Sequence, residues 1–310
     1  MTRRSDGAVP EPVDPPVVLV TGATGGIGSA VVRAYAARGA RLALLARSAG
    51  ALERLATEVS TAGGEPLVVV ADVTDHGAVE AAVEAAVARF GRLDVVVHAA
   101  AVVAYGRLTE VPVPVWDRVV TVGVGGAANV ARASLRVFER QAGGGRAAGG
   151  PAGGGRGGHL VIVGSVLGQV ATPYLGSYVT SKFAVRGLAR VLQQEARRTP
   201  GVHVALVEPG SVDTPIFVLA GSYAGHVGRP PPPVAQATTV ASAVLDVIDR
   251  NGRGASVGLA NPLMRLGFAA TPWLYDRLVG PLMRVTGLSR RPVGPNAGNV
   301  FEPSEGVVPR

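Results

Sequence analysis

The chain has 310 residues, 47% of them hydrophobic, which is enough for one large α/β domain with a substantial core. It contains no cysteine, which excludes disulfides, thiolate-bound metals and a thiol nucleophile, and its five histidines show no metal-ligand spacing, so no metal site is expected. The formal net charge is +8, but the arginines are spread thinly and are not interleaved with aromatic residues, so nucleic-acid binding is not expected.

The first 16 residues are rich in proline and charge, and we expect them to form a disordered tail before a folded domain at 17–260. The tail lacks the apolar stretch of a secretory signal, and no apolar run reaches the ~20 residues of a membrane-spanning helix. The sequence therefore predicts a cytoplasmic protein.

A buried strand at 17–20 leads directly into a glycine-rich turn and an apolar helical stretch. Strand, glycine turn and helix in this order form a phosphate-binding turn, because glycines let backbone N–H groups approach a pyrophosphate at the helix N-terminus. The turn predicts a dinucleotide site formed by Thr21, Gly22, Thr24, Gly26, Ile27 and Gly28.

The second strand, at 41–46, is followed by Arg47. An enzyme that selects NAD is expected to place an acidic residue here against the ribose hydroxyls, whereas an arginine suits the 2′-phosphate of NADP. The first carboxylate, Glu53, comes too late in the sequence to serve. We therefore prefer NADP(H), with NAD(H) as the alternative if Arg47 is only a surface charge.

Further apolar strands alternate with helical patterns of about 10–15 residues, which predicts a doubly wound α/β fold: one parallel, Rossmann-type sheet with helices on both faces. The glycine-rich stretch 141–158 predicts a flexible loop. Because this loop precedes the fifth strand, it lies at the amino end of the sheet, whereas ligands bind at the carboxyl end.

Tyr178 and Lys182 stand four residues apart, so both side chains lie on one face of a helix. A phenol with a pKa near ~10 is a weak catalyst at neutral pH, and an ammonium one turn away favours its phenolate form. Lys182 is the only lysine in the chain. Ser165 follows the fifth strand, so its hydroxyl is expected at the carboxyl edge of the sheet.

Ser165 with Tyr-x-x-x-Lys, together with Thr-Gly-x-x-x-Gly-x-Gly from Thr21, resembles the short-chain dehydrogenase/reductase family over about residues 16–260. The resemblance implies an NADP(H)-dependent oxidoreductase that interconverts an alcohol and a ketone or aldehyde, with Tyr178 as acid/base. It also implies that Ser165 hydrogen-bonds the reacting oxygen, and that Lys182 binds the ribose and lowers the phenol pKa. A homodimer or homotetramer is expected on the same grounds.

The resemblance assigns further nucleotide contacts beyond the glycine turn. Asp72 and Val73 would border the adenine, following the third strand. A Pro-Gly turn after the sixth strand, Pro209-Gly210, resembles the family's own and is expected to bind the cofactor. Beyond it, backbone Val212 and the Thr214 hydroxyl would meet the nicotinamide carboxamide.

Two departures from the family pattern motivate an alternative. His98-Ala99-Ala100-Ala101 replaces Asn-Asn-Ala-Gly, and Gly123 replaces the asparagine of the catalytic tetrad. Glycine keeps the main-chain carbonyl but lacks the side chain that would hold a local helix distortion, and Asn129 is not an obvious substitute. These departures motivate the alternative of a nicotinamide-nucleotide-binding regulatory protein with little or no turnover. An NAD-dependent alcohol dehydrogenase of the same family is a separate alternative, which applies if Arg47 is only a surface charge.

The C-terminal part of the chain predicts a substrate region. Residues 216–235 are expected to form a mobile loop, 261–286 short amphipathic helices broken by Pro272 and Pro281, and 287–310 a disordered tail. We hypothesise that loop and helices roof an apolar pocket for a bulky lipid, steroid-like or terpenoid substrate. Ordinary packing is the alternative, and contact with a membrane surface through 262–284 is not favoured.

Overall fold

The computed structural model describes residues 14–147 and 157–303. Its first half contains β1 (Val17–Thr21), α1 (Gly26–Ala36), β2 (Arg41–Ala46), α2 (Ala49–Thr61), β3 (Glu65–Val70), α3 (His76–Phe90), β4 (Val95–His98), β5 (Ala104–Tyr105), α4 (Val113–Val120), a π-helical turn (Thr121–Gly125) and α5 (Gly126–Ala147). Its second half contains β6 (Gly158–Val163), a 3-10 turn (Val166–Gly168), α6 (Gly176–Glu195), a second 3-10 turn (Ala196–Arg198), β7 (Val202–Pro209), β8 (Val212–Asp213), β9 (Gly221–Ser222), β10 (His226–Gly228), β11 (Ala235–Gln236), α7 (Ala237–Asp249), β12 (Gly254–Val257), α8 (Asn261–Ala270), α9 (Pro272–Thr286) and β13 (Leu288–Pro292).

Seven parallel strands form the central sheet, in the order β12-β7-β6-β4-β1-β2-β3. All five residues of β1 are buried, as expected for a strand covered on both faces. Val17 and Leu19 pack with α3 to α6 on one face, while Val18 and Val20 pack with α1, α2 and α7 on the other. The prediction of a doubly wound α/β fold is confirmed.

The strand order reverses at β1, which lies between β2 and β4. Helix α1 connects β1 to β2 on one face of the sheet, whereas α3 connects β3 to β4 on the other. In open α/β sheets ligands bind in the crevice that opens at such a point, outside the carboxyl ends of the strands. This crevice is where the glycine turn after β1 lies.

The predicted loop at 141–158 is wrong for its first part, because α5 continues to Ala147. Two polar anchors hold this end of the helix: the side chain of Gln141 accepts from Leu93 N (2.8 Å) and donates to Leu93 O (2.8 Å). Residues 148–156 lie outside the described residues, as do residues 1–13 of the expected N-terminal tail. Asp14, at the end of that tail, forms an ion pair with Arg92 at 3.0 Å.

The prediction of a disordered tail at 287–310 is wrong for 287–303. β13 pairs antiparallel with β10, and Val300 is fully buried in the core. Tertiary contacts with residues far away in sequence order this segment, and local composition does not report them. Residues 304–310 lie outside the described residues.

The prediction that Pro272 and Pro281 both break the extension holds only for the first. Pro272 begins α9, where its missing N–H is not needed, whereas Pro281 lies inside the helix, which continues to Thr286. Within the described residues, no helix combines the length and apolarity needed to cross a bilayer, and no cluster of histidine, aspartate and glutamate could hold a metal ion.

Candidate active site

The turn between β1 and α1 is built from glycines that no other residue could replace without movement. Gly22 has φ +66°, and a Cβ there would lie 2.7 Å from Ala100. A Cβ on Gly26 would lie 2.4 Å from the Thr214 side chain, and one on Gly28 only 2.1 Å from the Gly22 carbonyl oxygen. The turn therefore brings bare backbone and the N-terminus of α1 to the crevice, where an anion is favoured.

A cavity of about 260 Å³ extends from this turn along the carboxyl ends of the strands. All but one of the site residues predicted from the sequence line it: Gly22, Thr24, Gly26, Ile27, Gly28, Arg47, Asp72, Val73, Ser165, Tyr178, Lys182, Pro209, Gly210, Val212 and Thr214. Thr21 does not, because its side chain is fully buried beneath the turn.

The Thr21 hydroxyl lies 2.8 Å from Nδ1 of His98, at the tip of the neighbouring strand β4. Burial, reinforced by the positive charge of Lys182, lowers the pKa of His98 to about 3, so the imidazole is neutral. This pair joins the tips of β1 and β4, a structural role that the sequence did not reveal.

At one end of the cavity, Arg47 donates to backbone carbonyls of the C-terminal segment 296–303, which we call the C-terminal strap. Its Nη2 lies 2.7 Å from Asn299 O, and its Nη1 lies 2.9 Å from Phe301 O and 3.3 Å from Val300 O. Asn299 and Pro303 also line the cavity. The sequence did not predict the strap, because Asn299 lies 252 residues from Arg47 along the chain.

Asp72 is held by two neighbours at the same end of the cavity. Its Oδ1 accepts from the backbone N (2.9 Å) and hydroxyl (2.8 Å) of Thr74, and its Oδ2 forms an ion pair with Arg118. Burial by itself raises the pKa of Asp72, but the hydrogen bonds and the Arg118 charge outweigh it and hold the pKa below its ordinary value. Arg118 is a second residue that sequence reasoning missed.

Tyr178 and Lys182 lie on α6, with the Lys182 Nζ 5.5 Å from the centre of the Tyr178 ring. The ammonium donates to the carbonyl oxygen of Val163 (2.9 Å), the last residue of β6 and two residues before Ser165. The Ser165 hydroxyl in turn accepts from Leu167 N at 3.1 Å. Helix and strand together gather the three predicted catalytic side chains.

Protonation in this group differs from the sequence expectation. Burial raises the pKa of Tyr178 to about 12, opposed in part by the Ser165 hydroxyl, and burial lowers the pKa of Lys182 to about 8. We expected Lys182 to lower the phenol pKa, but the ammonium is directed at Val163 and the desolvation of the phenol dominates. At neutral pH the phenol is therefore protonated.

The π-helical turn at 121–125 shows that the distortion does not need an asparagine at Gly123. A Cβ on Gly123 would lie 2.7 Å from Cβ of Ser181, the residue before Lys182, so a missing side chain permits this close approach to α6. Asn129 instead donates to the carbonyls of Val73 (3.0 Å) and Thr74 (3.3 Å), which fixes the segment after β3.

A second, larger cavity of about 500 Å³ joins the first. Its lining is largely apolar, and it is roofed by α8, α9 and the prolines 231–233. Five residues line both cavities: Ser165, Tyr178, Gly210, Ile216 and Phe217. Ser165 and Tyr178, which the sequence predicts to be catalytic, therefore lie where the crevice beside the glycine turn meets an apolar chamber.

Comparison with known proteins agrees with this geometry. The family model for short chain dehydrogenase matches residues 16–222. YxnA of Bacillus subtilis, an uncharacterized oxidoreductase, is 30% identical over 285 residues, which cover 90% of this chain and 75% of that protein. The Bos taurus dehydrogenase/reductase SDR family member 7B is 28% identical over 279 residues, covering 86% of this chain and 81% of that protein.

A solved structure is also similar. An alcohol dehydrogenase from the archaeon Thermococcus sibiricus, complexed with 5-hydroxy-NADP, matches with a TM-score of 0.64 and 28% sequence identity. The match covers 79% of this chain and 95% of that one.

Proposed function

This chain belongs to the short chain dehydrogenase family of oxidoreductases, and within that family we propose that it is an NADP(H)-dependent enzyme that interconverts bulky apolar alcohols and their ketones or aldehydes. The observation that carries the proposal is the meeting of two cavities at Ser165 and Tyr178. One cavity begins at the glycine turn, and the other has an apolar lining of suitable size for a hydrocarbon skeleton.

The glycine turn suits a dinucleotide because it brings backbone N–H groups to the N-terminus of α1, where a pyrophosphate is favoured. Gly22, Gly26 and Gly28 permit this tight turn, since a Cβ at each would collide with Ala100, Thr214 or the Gly22 carbonyl. All four of Asp72, Val73, Val212 and Thr214 line the cavity; Asp72 and Val73 would hold the adenosine end of a bound nucleotide, and Val212 and Thr214 the nicotinamide end. A bound nicotinamide nucleotide supplies or accepts the hydride.

The chain's own residues handle the proton. In the reductive direction, Tyr178 donates its phenolic proton to the substrate oxygen and Ser165 hydrogen-bonds the same oxygen. The phenol is protonated at neutral pH, which is the form that donates, and its raised pKa makes it a weaker acid, so the developing phenolate needs stabilisation. The positive charge of Lys182 stabilises the phenolate as it forms. The ammonium is held in position by its hydrogen bond to the carbonyl oxygen of Val163.

Arg47 supports the preference for NADP(H). Three of its N–H groups bind the strap, but Nε and the second hydrogen of Nη2 have no acceptor among residues 14–147 and 157–303. These two donors suit a 2′-phosphate, which an arginine recognises through paired N–H groups. The solved relative complexed with 5-hydroxy-NADP is consistent with this choice.

The test is the decrease of NADPH absorbance with a series of alkyl ketones of increasing chain length. Each methylene buried is worth about 0.8 kcal/mol, so kcat/KM should rise about fourfold per added methylene until the chamber is filled. Leu278→Ala, which enlarges the chamber, should shift the series towards longer ketones, whereas Leu266→Ala, outside the lining, should not. A flat or falling series would refute the apolar chamber.

Tyr178→Phe removes the transferred proton and little else. We expect kcat to fall by a factor of about 10²–10⁴ while the dissociation constant for NADPH stays within a few-fold. Fluorescence of bound NADPH measures the second quantity. Retention of most of the turnover would contradict the role of Tyr178, and nucleotide binding without consumption of any carbonyl compound would contradict turnover altogether.

A further inference from the structure

Helices α8 and α9 expose an unusual share of the molecule's large apolar side chains. Of the sixteen exposed large apolar residues in the described chain, eight lie between Leu259 and Val285. Trp273 is 72% exposed and Leu263 is 73% exposed. We call this surface the apolar face; its exposed members are Leu259, Leu263, Leu266, Trp273, Leu274, Leu278, Leu282 and Val285. Singly scattered apolar side chains need no explanation, but a concentration of this kind indicates an interaction surface.

The apolar face is continuous with the larger cavity. Leu263, Leu274, Leu278 and Leu282 line that cavity although each is exposed on the surface. These four residues are therefore both part of the apolar face and part of the cavity lining. The same cavity is lined by Tyr178, so an apolar compound bound at the face lies at the entrance to the chamber that contains Tyr178.

The charged residues around the apolar face are mainly positive. Between residues 259 and 292 there are five arginines and a single carboxylate, Asp276; the arginines are Arg265, Arg277, Arg284, Arg290 and Arg291. None of the five forms an ion pair within the part of the chain that the structure describes. Arg284 donates instead to the neutral hydroxyl of Tyr174 (2.7 Å). Some exposed arginines outside the face, such as Arg136 and Arg140, are paired with glutamates, so the distinguishing feature of the face is the excess of arginine over carboxylate beside its apolar side chains.

We propose that the apolar face docks on an anionic lipid surface, with the mouth of the larger cavity turned towards the acyl chains. Exposed leucine and tryptophan flanked by arginines is the pattern of helices that lie in the interface of a membrane. A second copy of this chain fits less well, because a two-fold contact would bring the same five arginines against one another. Docking depends on the face alone, whereas uptake of substrate from the membrane rests on the proposed function.

Trp273 provides a direct measurement. The chain has two tryptophans, and Trp116 is packed against the core, so Trp273 dominates any change in emission on docking. We expect a blue shift with vesicles of phosphatidylcholine and phosphatidylglycerol, little change with phosphatidylcholine alone, and loss of the shift at high salt. Trp273→Phe should abolish the shift while the protein still cosediments with the anionic vesicles.

Two comparisons of double variants test whether binding depends on this face or only on the overall charge and hydrophobicity of the protein. Arg277→Gln with Arg290→Gln should weaken partitioning roughly 25-fold, since each arginine near an anionic surface contributes about fivefold. The control, Arg197→Gln with Arg198→Gln, makes the same charge change next to the amino end of β7 and should have little effect.

The second pair tests the apolar contribution. Leu266→Ser with Val285→Ser should weaken partitioning at least tenfold without touching the cavity lining. Leu108→Ser with Val191→Ser, also exposed but outside the face, should not. Equal effects of face and control variants, or no partitioning into anionic vesicles at low salt, would overturn the proposal.

Light scattering tests the alternative that a second copy of this chain covers the apolar face. If a second copy covers the face, Trp273 emission is already blue-shifted without vesicles and depends on protein concentration, and Leu266→Ser with Val285→Ser dissociates the oligomer. That result would also overturn the proposal. All these experiments measure binding to vesicles and not catalysis. A failure to reduce ketones would therefore contradict the proposed function and leave the docking proposal standing.

Discussion

Replacing Lys182 by methionine should stabilise the folded chain at neutral pH while abolishing turnover. Lys182 is only 5% exposed, and burial lowers its pKa from 10.5 to about 8. That change corresponds to about 3 kcal/mol of destabilisation while the amine is charged. Methionine removes this cost but also the hydrogen bond to Val163, worth about 1 kcal/mol. The net gain in unfolding free energy should be about 2 kcal/mol at pH 7.

The pH dependence of this gain has a definite sign. The folded pKa of Lys182 lies below the unfolded value, so between about pH 8 and 10.5 the unfolded state binds more protons and the wild type becomes more stable relative to the variant. The advantage of methionine is therefore full below pH 8 and disappears as the pH approaches 10.5. Tyr178 does not disturb the comparison, because both proteins carry it.

Urea unfolding of both proteins at pH 7 and pH 10, followed by circular dichroism, measures the difference. Because Lys182 is the only lysine, protein labelled with ¹³C-lysine gives a single side-chain signal whose midpoint reports the pKa directly. Tyr178→Phe is the control that loses turnover and keeps the buried ammonium. A midpoint above pH 10, or a methionine variant less stable than the wild type at pH 7, would refute the reasoning.

Two further predictions follow from the same site. Arg47→Asp should shift the ratio of kcat/KM values from NADPH towards NADH, because a carboxylate repels the 2′-phosphate and accepts from a ribose hydroxyl; equal use of both nucleotides by the wild type would contradict the NADP preference. Gly123→Ala should lower both kcat and the midpoint of thermal unfolding, since its Cβ would lie 2.7 Å from Ser181, at a cost of about 1–3 kcal/mol. Gly187→Ala, on α6 with nothing within 4 Å, is the matched control and should be neutral or stabilising by up to about 1 kcal/mol. Equal losses in the two glycine variants would show that the contact with Ser181 is not the cause.

The parts of the site that follow from local pattern could be predicted from the sequence. The glycine turn is one continuous stretch, and the spacing of Tyr178 and Lys182 fixes their shared helix face. Ser165 joins them because parallel strands end at one edge of the sheet. These arguments need only the chain direction and the period of each element.

The rest depends on contacts that no local pattern reports. The close approach of α6 to Gly123, within the π-helical turn at 121–125, and the link between Thr21 and His98 both depend on which elements are neighbours in the fold. The prediction for Tyr178 considered only the neighbouring ammonium, whereas the direction of its pKa shift is set by burial, which depends on packing between elements distant in the sequence. The spacing of residues along α6 reveals that Lys182 is close to Tyr178, but it does not reveal that the phenol is desolvated by burial.

The C-terminal strap also has a consequence for folding kinetics. Its contacts with Arg47 close loops of 252 to 254 residues, and such non-local contacts form slowly compared with those of helices and neighbouring strands. During refolding the sheet can be complete while the crevice still lacks the wall that Asn299 and Pro303 provide. We therefore expect circular dichroism to recover before NADPH binding does, so the nucleotide crevice is the last part of the molecule to mature.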